Sequence, residues 1–155
     1  MSDIYSTPES DLSSATNVVR YAGFWIRVVA GLIDSVLLIL MVLALGWAVY
    51  GASYFDSTDL VMGYADGFIS YVLPFIITMI FWIYRSATPG KLILGLKIVD
   101  AENLGPVSTG RLALRYLGYY PAMIVLMLGI FWVAWDPRKQ GWHDKMARTL
   151  VVKAN

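Results

Sequence analysis

Sixteen consecutive uncharged residues, Ser35 to Tyr50, follow Asp34 in an apolar run that opens at Phe24 (FWIRVVAGLIDSVLLILMVLALGWAVY). A helix that is apolar on every side has to be buried in a large core or in a bilayer. Trp25 and Trp47 lie 22 residues apart, about 33 Å along a helix, and would bracket a hydrocarbon core of about 30 Å. The spacing predicts a membrane-crossing helix. Composition agrees: 58% of the 155 residues are hydrophobic and 15% are charged, against about 45–50% and about 25% in ordinary globular domains. A water-facing domain of this length could not hide that much apolar surface.

A second apolar segment runs from Gly67 to Tyr84 and closes on Trp82, Tyr84 and Arg85. Pro74 inside it frees a backbone carbonyl, so a kink is expected there. Between the two segments, residues 51–66 carry only Asp56, Asp59 and Asp66 as charges, whereas residues 85–115 carry Arg85, Lys91, Lys97, Arg111 and Arg115. That asymmetry puts residues 85–115 on the cytoplasmic side and residues 51–66 outside. The N-terminal tail is then cytoplasmic as well. Residues 1–20 are polar, lack the basic-then-apolar order of a cleaved signal and read as a disordered tail, leaving residues 21–155 as the membrane domain.

The third apolar segment, Leu112 to Trp135, brings two signals into conflict. Its length suits one crossing, which would put the C-terminus outside. The tail nevertheless holds Arg138, Lys139, Lys145, Arg148 and Lys153, which favour the cytoplasm. The segment is therefore either a single span or a re-entrant hairpin, with Gly118 and Pro121 as the expected break. In the basic loop, Leu94, Leu96 and Ile98 alternate with Gly95, Lys97 and Val99, the period of a strand. Thr149 to Lys153 is a second β-branched stretch. The fold expected is an α-helical membrane protein with two long transmembrane helices, this third segment, and a small cytoplasmic pair of strands.

Arg27 and Asp34 are seven residues apart and project from nearly the same helix face, with Gly31 between them. Counting back from Tyr50, Asp34 lies about 6 Å inside the cytoplasmic boundary and Arg27 stands at it. A charged, unpaired carboxylate there would cost up to about 3 kcal/mol. Asp34 should accordingly pair with Arg27 or a basic residue of the cytoplasmic layer, or serve as a proton- or cation-binding group. Thr88-Pro-Gly-Lys91 lacks the spacing of a nucleotide loop and reads as a sharp turn. His143 and Asp144 are adjacent and do not share a helix face, so Asp144 is expected to orient backbone or to pair with Arg148.

Other chemistry is excluded by what is missing. A formal charge of +1 implies no nucleic acid, the absence of cysteine removes thiolate chemistry, and a single histidine removes a multi-His metal site. No nucleophile elbow or phosphate loop is present. The chain is expected to be neither an enzyme nor a carrier of a metal or cofactor.

Four stretches together resemble the RDD family of small bacterial membrane proteins, named for one arginine and two aspartates. They are YAGFWIRVVAGLIDSVLL, TPGKLILGLKIVD, RLALRY and DPRKQGWHDKMARTLVV, in family order over residues 21–152. The resemblance implies that Arg27 and Asp34 are the first two signature residues and Asp144 the third, with Asp100 and Asp136 as rivals. It also notes a departure, since the family often has Gly where this chain has Arg148. It implies residence in the bacterial plasma membrane and a proposed role in transport. Two functions follow as expectations: an oligomeric transport or cation/proton-exchange component using an intramembrane carboxylate, or a non-catalytic scaffold that assembles with itself or other membrane proteins.

Overall fold

The computed structural model describes residues 19–59, 61–125 and 127–154, so most of the expected tail, residues 1–18, lies outside the described residues. Helix α1 covers Phe24–Tyr50, the predicted bounds. Only 6% of its most apolar window is buried inside the protein. Trp25 and Trp47 are exposed, as interfacial anchors would be. After a short helix α2 (Ser53–Asp56), a second helical run climbs through α3 (Tyr64–Gly67), a π-helical turn (Phe68–Val72) and α4 (Leu73–Arg85).

The kink expected at Pro74 takes the form of that π turn. Pro74 falls in the first turn of α4, directly after the widened stretch, where Leu73 N–H bonds Phe68 O. The wider turn absorbs a residue that cannot donate to the preceding turn. Asp66, expected as a loop charge, is instead buried. It accepts bonds from Tyr54 Oη (3.3 Å), Ser70 Oγ (3.1 Å) and Met62 N (3.0 Å).

Ser86, at φ 53°, ends α4, and Thr88 then begins helix α5 (Pro89–Ile93). Strand β1 (Leu96–Asp100) pairs antiparallel with β2 (Thr149–Lys153), with Ile98 opposite Val151. The chain just before α1 lines the other edge of β2: Ala22 N bonds Val151 O and Lys153 N bonds Arg20 O, both at 2.9 Å. Trp82, Met79, Leu112 and Ala30 pack with Leu96, Ile98 and Val151, so the core joins the helix ends to the sheet.

Ile98 N donates to Ser86 O at 2.6 Å, and Val151 O accepts from Ala22 N. The polar groups of this pair therefore face away from each other, the closely spaced arrangement with Cα atoms about 4.5 Å apart. Ile98→Cys with Val151→Cys should crosslink on oxidation in this cysteine-free chain. Ile98→Cys with Val152→Cys should not, because Val152 faces the opposite side. The reverse outcome on a non-reducing gel would mean a register shifted by one residue.

The third segment breaks, but not where Gly118 and Pro121 suggested. Helices α6 (Thr109–Leu117) and α7 (Tyr119–Ile124) run on through Gly118, whose φ is −66° and whose carbonyl accepts from Ala122 N. Pro121 falls in the first turn of α7, where a missing N–H matters least. The chain turns instead between α7 and the next helix, where Met127 has φ 59°, and α8 (Leu128–Phe131) leaves bent by 114° from the preceding helix. Gly129 permits the fold-back: a Cβ there would lie 2.7 Å from Ala122 Cα. Among the described residues two helices are thus long and apolar enough to cross a membrane, or three if the bent pair counts as one span.

Candidate functional site

Helix α9 (Trp142–Met146) carries His143 and Asp144 to the point where α1, α5 and α6 meet. Asp144 Oδ2 accepts from its own Gly141 N at 3.0 Å, which fixes its rotamer locally. The same oxygen lies 2.6 Å from Arg27 Nη1, while Oδ1 lies 2.6 Å from Arg115 Nη2. Asp144 and Arg115 are both fully buried. Arg27 spends its remaining donors on backbone carbonyls, Nε on Ala22 O (3.0 Å) and Nη2 on Lys139 O (2.6 Å). One carboxylate therefore ties the first helix and the third segment to the C-terminal segment.

Burial by itself would push the Asp144 carboxyl up, but the Arg115 and Arg27 guanidiniums outweigh it and hold the group well below the usual carboxylate range. Burial also pushes the His143 imidazole down to about 3, so the ring is neutral at ordinary pH. It stacks on Tyr119 with centroids 4.0 Å apart.

Asp34 does not meet Arg27. Its Oδ2 accepts from Thr88 Oγ1 at 2.5 Å and its Oδ1 from Gly90 N at 2.7 Å. A residue of one helix thus caps the N-terminus of another, with Pro89 at the first helical position. The TPGK stretch, expected as a turn, is the start of this capped helix. Gly90 makes the approach possible, because a Cβ there would run into the Ala30 carbonyl and sit 3.0 Å from the Asp34 carboxyl.

Arg27 and Asp144 are brought together; Asp34 stands in the adjoining part of the same layer. The pairing expected between Asp144 and Arg148 does not form: Arg148 is exposed with φ 50°, and its carbonyl accepts from Ala101 N and Arg111 Nη2. That left-handed backbone is the physical reason a glycine suits the position. The rival aspartates hold loops. Asp100 accepts from Glu102 N and pairs with Arg111, and both bonds lower its pKa. Asp136 accepts from Gln140 N and from Lys145 Nζ at 2.5 Å. Of the three, Asp144 is the one that reaches Arg27.

Two buried cations went unrecognised in the sequence, where they counted only as loop charges. Arg115 lies 5.2 Å and Lys91 5.9 Å from the Trp82 ring centroid. The available signal was periodicity. Arg115 sits on the face of Leu112 and Tyr119, at helical spacings of three and four, so it had to enter the core with them. Two cavities meet at this layer, of about 350 Å³ and about 310 Å³; both are lined by Gly31, Lys91 and Tyr119, the first also by Asp34. Among the described residues no group of His, Cys, Asp or Glu could hold a metal ion.

No solved structure matches the chain. An uncharacterized protein of Rickettsia prowazekii (RP437) is 38% identical over 74 residues, 48% of this chain, which spans 40% of that relative's length. Two proteins of Bacillus subtilis are covered more fully. YxaI is 31% identical across 84% of this chain and 96% of its own length. YteJ, described as an uncharacterized membrane protein, is 28% identical across 85% and 80%. The RDD family matches over residues 21–148, a range that contains Arg27, Asp34, both cavities and Asp144. The chain belongs to the RDD family, and is a membrane protein of that family.

Proposed function

We propose that the protein is a non-enzymatic component of a transport or exchange assembly in the bacterial plasma membrane, binding a charged species at the layer formed by Arg27, Asp34, Lys91, Arg115 and Asp144. The observation that carries this reading is the Asp34 carboxylate, set in a long apolar helix and lining a cavity of about 350 Å³. Two long apolar helices and a bent third segment do not enclose a path, so the working form is an oligomer. In this reading both termini and the sheet face the cytoplasm, and residues 51–66 face outward, following the basic loop and tail.

The test pairs flux with folding. Asn at position 34 keeps one acceptor oxygen and loses the charge. Asp34→Asn should abolish cation-dependent pH change in reconstituted vesicles, with a stability loss of about 1–3 kcal/mol from the disturbed cap. Wild-type exchange by folded Asp34→Asn protein would end the transport reading. The scaffold reading would then lead, favoured by the fact that Arg27 and Asp144 are committed to bonds within the chain.

A further inference from the structure

Buried Arg115, Lys91 and Asp144 meet half-buried Arg27 and Asp34 in this layer, and His143 is neutral. Burial, with Arg115 beside it, pushes the Lys91 ammonium down to about 7. Among the described residues Arg115 Nε and Nη1 and Trp82 Nε1 are buried without a hydrogen-bond partner, and Lys91, 8% exposed, makes no salt bridge. The Trp82 ring faces both cations, yet a π face does not satisfy the N–H groups around the guanidinium edge. Buried donors left this way are costly, and a guanidinium with unpartnered N–H groups beside a lysine suits an oxyanion, whose charge would also favour the protonated lysine.

The position says where that oxyanion comes from. Lys91 and Arg115 line the cavity of about 310 Å³, whose other walls include Gly31, Leu32 and Ser35 on the exposed side of α1. That side continues into Val36, Ile39 and Leu40, all exposed, as a surface for acyl chains. Arg27 stands at the hydrocarbon boundary inferred from the first helix, next to the headgroup layer that holds the lipid phosphates. We infer that this layer binds the phosphate head of an anionic phospholipid, entering from the bilayer beside Gly31, with its chains along α1. The inference does not rest on transport, since a lipid held here would serve a transporter or a scaffold alike.

The experiment is thermal unfolding of the full chain in dodecyl maltoside with three additives: dioleoylphosphatidylglycerol, dioleoylphosphatidylcholine and inorganic phosphate. At a hundred-fold excess over Kd, phosphatidylglycerol should raise Tm saturably by roughly 5–10 °C, and the other two should not. Lys91→Met removes a cation that holds no ion pair, and Gly31→Leu fills the entrance where a Cβ meets nothing within 4 Å. Both should lose the phosphatidylglycerol shift, and Gly31→Leu keeps the test decisive if Lys91→Met does not fold. An equal shift with phosphatidylcholine, a shift with inorganic phosphate alone, or a full shift retained by the folded variants would overturn the assignment.

Discussion

Asp144→Ala is expected to unfold the domain under conditions where most single substitutions are tolerated. The change leaves Arg27 and Arg115 facing each other in a buried layer without their shared carboxylate. Removing one partner of a buried, hydrogen-bonded charge cluster costs about 3–5 kcal/mol, because the remaining charges stay desolvated. The loss should appear in denaturant unfolding in mild detergent and as new proteolysis near residues 138–153. Lys145→Ala is the internal comparison. Lys145 is 45% exposed, so its pair with Asp136 should contribute less than about 1 kcal/mol.

Gly90→Ala is the second large effect, and it is steric. The added methyl would enter the Ala30 carbonyl oxygen, part of the α1 backbone, and crowd the Asp34 carboxyl at 3.0 Å. Neither neighbour is the end of a flexible chain. Relief means sliding α5 away from α1, which breaks the bonds from Thr88 and Gly90 to Asp34. Overpacking and a lost cap together predict a loss of about 3 kcal/mol or more in thermal or denaturant unfolding. Gly95→Ala should lose about 1–2 kcal/mol, because Gly95 has φ 63° in open space. Gly31→Ala, at an open site with ordinary helical backbone, should be near neutral. Equal losses for all three would mean that the α1–α5 contact is not close.

The elements most legible in the sequence were those set by local periodicity. The first helix ends where its apolar run ends, and alternation and β-branching mark the two strands, which pair because each would otherwise leave backbone groups unpaired. The partners of the charged side chains were not legible. Seven-residue spacing put Arg27 and Asp34 on one face, but each reaches its own partner, Arg27 to a residue 117 positions away and Asp34 to one 54 positions away. Lys91 and Arg115 looked like solvated loop charges because nothing local shows that the helices around them fold inward. The bend before α8 eluded composition because Gly118 and Pro121 are the usual breakers, and a left-handed Met127 is not. Gly129 against Ala122 shows afterwards why the chain folds back there.

One buried carboxylate on α9 joins the first helix to the C-terminal segment. A double-mutant cycle between Arg27 and Asp144 measures that joint. Arg27→Met, Asp144→Leu and the double variant are compared with wild type by reversible unfolding in detergent. A coupling energy of about 2 kcal/mol or more is expected, with the double variant less destabilised than the sum of the singles. Additive losses, with coupling below about 0.5 kcal/mol, would contradict it.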